Sequence, residues 1–203
     1  DVTLVDLVRE HLGRARGRVH TLHRIDRGAS GVVLFARDRH AARHVADAFA
    51  ARRITKRYVA LVRGHFREDC GIIDHPIPNK IGGARVPAQT SWRVLWATSE
   101  TVPREVSLVG MSPHTGRLHQ IRRHLKHVSH PIVGDATYGK GKINRAMRER
   151  YGLRRLALHA LALGLEHPET GEECTLRAPL PSDMADPLGR MGCPLDEFEW
   201  TTQ

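Results

Sequence analysis

The spacing of apolar positions changes along the chain, and each change marks an element. Val2 to Leu12 carries apolar residues at helical spacing and predicts a short helix, followed by a basic, glycine-containing connector at 14–18. Val32 to Ala36 (VVLFA) is a continuous apolar run after the Gly28/Gly31 turn, and predicts a buried strand. Asp38 can cap a helix running to about Arg52, with Ala42, Val45, Ala46 and Phe49 on one face. Lys56 to Arg63 (KRYVALVR) predicts a strand ended by Gly64. Asp69 to Gln89 is rich in Gly and Pro and predicts a loop or small hairpin. Two strands follow, Ser91–Ala97 and Glu105–Ser112, then a turn at 113–116 and a helix to about Val128. Pro131–Gly141 reads as loop, Ile143–Tyr151 as a basic helix, and Leu156–Leu165 and Thr175–Ala178 as closing strands. Strands and helices that mix without strict βαβ alternation predict an α+β (mixed α/β) fold with a mixed, mostly antiparallel central sheet.

The helix after Gly116 has a charge where its apolar stripe should be. At about 100° per residue, Leu118, Ile121, Leu125 and Val128 fall on one side, and Arg122 lies roughly 40° from Leu118. Arg123, Lys126 and His127 point away. An Arg turned toward a core needs an anionic partner, because an unpaired buried charge is very costly. It could also extend to the edge of the stripe or form a purely structural pair. Asp26, in HRIDRGASG, is a candidate partner: it precedes the expected buried strand in a polar, glycine-punctuated segment. An Asp in an ordinary turn is the competing reading.

Charge narrows the class of partner. The chain has 203 residues and a net charge of +10. From Glu166 to Gln203 there are nine acidic and two basic residues, which leaves +17 on the preceding part. Seven basic residues between Lys140 and Arg155 face one Glu149. A field of this kind favours a polyanion and a phosphate-tracking surface. No run of about 18 apolar residues suggests a membrane span. No basic amphipathic helix with bulky anchors suggests membrane binding. Three dispersed cysteines, Cys70, Cys174 and Cys193, fit a reducing cytoplasm rather than a disulfide or zinc-thiolate framework.

Other chemistries find less support. His114, His119, His124, His127 and His130 lack an HExxH pattern and do not share one helix face, so RNA contact is expected of them before metal binding. Gly28–Gly31 is not a GxSxG elbow, and Gly139–Lys142 is no P-loop.

Four segments occur in order: HRIDRGASG (23–31), KRYVALVRG (56–64), TGRLHQIRRHL (115–125) and HPIVGDATYG (130–139). Together they closely resemble the RluA-type pseudouridine synthases, and LALHALALGLEHP (156–168) extends the match to that family's closing strand. The segment 139–160 is most similar to the TruC branch, which modifies tRNA. The sequence departs from the family pattern at Ile25 (usually Leu), at Ala29 (often Thr), and in lacking an upstream KPxG-type strand.

The resemblance implies a pseudouridine synthase catalytic domain whose sheet is flanked by helices and loops. It would span residues 1–203, with a core at about 20–179, an acidic C-terminal tail at 180–203, and the N-terminal part of the family domain expected to lie outside the chain. It implies an isomerase that turns a uridine of structured RNA into pseudouridine, tRNA favoured over rRNA. Neither metal nor organic cofactor is expected, nor an obligatory protein partner; a cytoplasmic monomer is. Asp26 matches the family's catalytic aspartate, Arg122 the arginine that pairs with it, and Tyr58 the catalytic tyrosine expected to pack on the uracil and to assist proton transfer. Arg24 matches the arginine that enters the RNA stack when the base flips out. Further RNA contacts are expected from Arg27, Arg117, His119, Gln120, Arg123, Lys140, Lys142 and Arg145. A carboxylate suits the reaction, since it can attack the sugar or accept a proton. A non-catalytic RNA-binding protein on the same fold, a His-dependent RNA-cleaving hydrolase and a DNA-binding regulator are the competing classes.

Overall fold

The computed structural model describes residues 2–13, 18–80, 82–101 and 103–198. Most of the basic connector expected at 14–18, and residues 199–203 of the acidic tail, lie outside them. In chain order the elements are α1 (Leu4–His11), β1 (His20–Thr21), β2 (Ser30–Gly31), β3 (Phe35–Ala36), α2 (Arg39–Ala50), β4 (Thr55–Arg63), β5 (Cys70–Asp74), β6 (Ile77–Pro78), β7 (Arg85–Val86), β8 (Gln89–Thr98), β9 (Val106–Pro113), α3 (Gln120–His127), α4 (Gly141–Tyr151), β10 (Leu158–Glu166), β11 (Glu173–Arg177) and α5 (Ser182–Arg190). None of the described helices is long and apolar enough to cross a membrane.

One seven-stranded sheet organises the molecule, in the order β11-β10-β4-β9-β8-β5, with β2 added beside β10. All its pairings are antiparallel except β2 with β10, so the expected mixed, mostly antiparallel α+β architecture is the one observed. β4 is central because its run Val59–Val62 is fully apolar and both its neighbours bury it. A bulge in β10 between Ala160 and Ala162 falls opposite Tyr58 and Arg57. Bulges of this kind bend a strand and re-aim the side chains beside them.

VVLFA does not form the continuous buried strand that its composition predicts. β2 ends at Gly31, Val32 donates one last hydrogen bond to the Ala160 carbonyl (2.9 Å), and the chain leaves the sheet before β3 begins. Gly31 sits at φ +115°, where any Cβ would strike the Ala160 carbonyl, so glycine permits this close crossing. Val32 and Leu34 instead pack on a smaller cluster with Val45, Ala48, Ile54, Leu163 and Leu165. The main cluster joins β4 and β9 to Leu125 of α3, Met147 of α4, and Met184 and Leu188 of α5. The described part of the acidic tail therefore closes the core: Met184 and Leu188 are fully buried.

Candidate active site

The segment carrying Asp26 is fixed at both ends. Leu34 N–H donates to His23 Nε2 (2.9 Å) at its start. At its finish Ser30 Oγ and His159 Nδ1 lie 2.7 Å apart, and His159 Nε2 lies 3.0 Å from the Ala178 carbonyl. The carbonyl acceptor makes Nε2 the protonated nitrogen, so Ser30 donates to Nδ1. Burial lowers the His159 pKa, which keeps that neutral tautomer. Arg155 holds the middle through Gly28 O (3.1 Å), and Ala29 N–H closes a turn onto Asp26 O (3.0 Å). These bonds leave the Asp26 side chain projecting into an open cleft of about 730 Å³ between the start of β4, the end of α2 and the 113–121 segment.

Arg122 is not among the lining residues but reaches Asp26, with 7% of its side chain exposed against 22% for Asp26. The helix geometry asks for a carboxylate against Arg122, and the structure supplies two. Asp135 forms the close pair, accepting from Nε at 2.7 Å and Nη2 at 2.9 Å; Asp26 accepts from Nη1 at 3.5 Å. Asp135 has no exposed side-chain area and also accepts from the N–H groups of Thr137 and Tyr138, both at 2.9 Å. Burial opposes its ionisation, but the Arg122 bonds and the two N–H groups outweigh that, and its pKa lies below the ordinary aspartate value. The Asp135 bonds are the first cause that raises the Arg122 pKa. Two carboxylates around one guanidinium leave a net charge of −1, so Asp26 is oriented by Arg122 without being fully neutralised by it.

The loop that delivers Asp135 is itself bound tightly. Asn144 of α4 accepts from Gly134 N–H (3.0 Å) and donates to Asp135 O (2.9 Å). Gly134, at φ +79°, crosses so close to the 155–156 segment before β10 that a Cβ would collide with the Arg155 carbonyl. The Tyr138 ring lies under Arg122, 5.0 Å from Cζ to centroid. Its hydroxyl accepts from Arg123 Nε (2.9 Å) and lies 3.1 Å from His119 Nδ1. His119 adopts φ +53°, a left-handed conformation tolerated by His. Burial lowers its pKa, which suits a neutral ring accepting from Tyr138.

Tyr58, on the floor of the cleft, is pushed up to about 12 by burial first and by the Asp26 charge second. It therefore stays a neutral phenol throughout the physiological range.

The structure brings Arg24, Asp26, Tyr58, Arg117, His119 and Gln120 to the cleft lining. Gln120 corrects the expectation of an RNA contact. It is 5% exposed; its Oε1 accepts from Thr115 Oγ1 (2.7 Å) and Arg117 N–H (3.0 Å), while Nε2 donates to Gln89 O and Thr90 Oγ1, both at 2.9 Å. Its amide ties the 115–119 turn to β8 and has no free group to offer. Arg123 is likewise engaged internally, donating to Tyr138 and to the Pro78 carbonyl (2.8 Å). Arg27, Lys140, Lys142 and Arg145 are exposed and stand outside the cleft lining. Asp135, Tyr138 and Lys56 were not anticipated. Asp135 and Tyr138 lie within HPIVGDATYG, but a helical wheel demands a carboxylate without saying which one.

The profile of the RNA pseudouridylate synthase family matches residues 9–127. The chain is 37% identical to the tRNA pseudouridine synthase C of Salmonella typhimurium, over 94% of this chain and 78% of that protein. It is 38% identical to the tRNA pseudouridine synthase C of Haemophilus ducreyi, over 87% and 75%. Among solved structures, human RNA pseudouridylate synthase domain containing 1 superposes with a TM-score of 0.73 at 30% identity, covering 92% of this chain and 80% of that one. The human domain containing 4 protein gives 0.75 at 26%, covering 94% and 84%. On this likeness in sequence and in fold, the chain belongs to the RNA pseudouridylate synthase family, as an RluA-type isomerase acting on uridine in RNA.

Proposed function

We propose that the substrate is tRNA and that Asp26 is the carboxylate that breaks and remakes the glycosidic link. One observation carries the reading: among the described residues Asp26 is the only carboxylate lining the cleft, which also holds the cations Arg24, Arg52, Lys56 and Arg117. The relatives named as tRNA pseudouridine synthases favour tRNA over other RNA.

The reacting atoms are inaccessible in a stacked helix, so the uridine must flip out, which costs a few kcal/mol. Arg24, exposed at the cleft, fills the gap in the stack, and contacts to phosphates offset the rest. Asp26 then acts on the ribose as the N1–C1′ bond breaks. The freed uracil turns against Tyr58, C5 bonds to C1′, C5 loses its proton and N1 gains one. Tyr58, a neutral phenol up to about 12, packs against the turning uracil, and Asp26 accepts the C5 proton. Attack at C1′ and removal of the C2′ proton both start from this carboxylate, and a deuterium isotope effect at C2′ belongs to the second route alone. Arg122 aims Asp26 and is itself held by Asp135.

The test is release of tritium from RNA labelled at uridine C5, run on total tRNA and on rRNA. Release from tRNA alone is expected. Release from rRNA alone would move the substrate, and release from neither would refute the proposal.

A further inference from the structure

A half-buried cation without an anion stands in the same cleft. Lys56 lines it, and the one hydrogen bond Nζ makes is a long one, 3.5 Å, to the Thr115 carbonyl. No carboxylate pairs with Lys56 among the described residues. Arg122 shows the contrast, since two carboxylates hold it. Withdrawing a cation from water without a partner is unfavourable, and burial accordingly lowers the Lys56 pKa. The cost is recovered if an anion arrives with the ligand.

Strand geometry says where that anion would lie. Ile54, Lys56 and Tyr58 all line the cleft, whereas Thr55 and Arg57 do not. Alternate residues on one strand face are about 6.6 Å apart. Lys56 therefore stands one step from Tyr58, and Ile54 a second step further along. Beyond Lys56 the lining includes Leu22, Phe49 and Ile54, which share one apolar cluster, with His23 and Arg52 beside them. Gly116 faces Lys56 across the cleft: a Cβ there would lie 3.9 Å from Nζ, in ordinary contact.

We propose that Lys56 is the anion-binding group of a second subsite, which takes the backbone phosphate adjoining the target uridine, while Leu22, Phe49 and Ile54 receive the neighbouring base. The assignment rests on the reading that the uracil lies against Tyr58. Lysine offers a mobile point charge to a phosphate and an aromatic wall takes any base, so the subsite fixes the strand without reading its sequence.

The experiment compares uridine, uridine 5′-monophosphate, uridine 3′-monophosphate and the dinucleotide UpU, titrated by NMR into wild type, Lys56→Met, Lys56→Arg and Phe49→Ala. Each readout is a ratio of affinities within one protein. One monophosphate is expected to bind wild type about tenfold more tightly than uridine, as a charge-assisted contact should. That ratio should collapse toward one in Lys56→Met and largely return in Lys56→Arg. The further gain from UpU should be lost in Phe49→Ala. No phosphate gain in wild type, or a gain that survives Lys56→Met, overturns the subsite. Tritium release from tRNA without a phosphate gain would sink this inference and leave the tRNA reading standing. A phosphate gain lost in Lys56→Met, without release from tRNA, would do the reverse.

Discussion

Helices α3 and α4 look alike in sequence, both short and crowded with basic residues, yet the fold uses them in opposite ways. α3 buries Gln120, Arg122 and His124 together with Ile121 and Leu125. Each of its buried polar groups has partners: His124, for example, bonds Thr90 Oγ1 (2.9 Å) and the His75 carbonyl (3.0 Å). α4 buries only Met147 and Tyr151, and its Lys142, Arg145, Arg148 and Arg150 are exposed. In α3 the charge and polarity position Asp26 and the cleft walls; in α4 they stay exposed on the surface. Density of basic residues alone does not tell these uses apart. The carboxylates and carbonyls that the fold brings to each helix do.

The comparison breaks most severely if Asp135 loses its charge. Asp135→Asn should lower turnover roughly 100-fold and stability by about 3 kcal/mol, since a buried pair has been opened. The sign with pH follows from its lowered pKa. The stabilisation is present above the ordinary aspartate value and is lost as pH falls through the lower folded value. Urea midpoints measured from pH 7 to pH 3 should therefore fall more steeply in wild type than in the variant. Arg122→Lys comes next, with single-turnover rate reduced about tenfold or more and RNA affinity changed far less, because an ammonium cannot hold Asp135 at two points and still reach Asp26. A wild-type rate would sink the pairing.

Smaller effects sharpen the other side. Replacing Lys140, Lys142 and Arg145 by Gln should weaken tRNA binding. It should also flatten the slope of log affinity against log salt by about 0.7–0.9 for each phosphate that is no longer neutralised. An unchanged slope would remove α4 from the RNA surface. The smallest is spectroscopic. The fold raises the Tyr58 pKa, so this contribution to stability is complete below the unfolded tyrosine value near 10 and is lost as pH rises toward 12. Ultraviolet titration should show one late phenolate step near pH 12 that disappears in Tyr58→Phe.

Much of the fold was legible because periodicity survives folding. The strand before Gly64, the helix capped by Asp38 and the buried edge of α3 all follow from spacing. What was not legible depends on contacts distant in sequence. VVLFA has the composition of a strand, but Gly31 and the Ala160 carbonyl decide where pairing stops. Arg122 announces a carboxylate, and the loop that Gly134 carries past Arg155 and Asn144 holds makes Asp135 the nearer one. Gln120 reads as a polar group beside a basic helix; four internal bonds remove it from the RNA surface. Lys56 sits inside a segment read for its tyrosine, and its lack of a carboxylate partner is visible only in three dimensions.

The most direct test of the account is Asp26→Asn, with tRNA affinity and single-turnover tritium release measured on the same C5-labelled tRNA. The account predicts binding within a few-fold of wild type and no release above background. Release at the wild-type rate would contradict it, and the chemistry would then have to be sought away from the only carboxylate among the described residues that line the cleft.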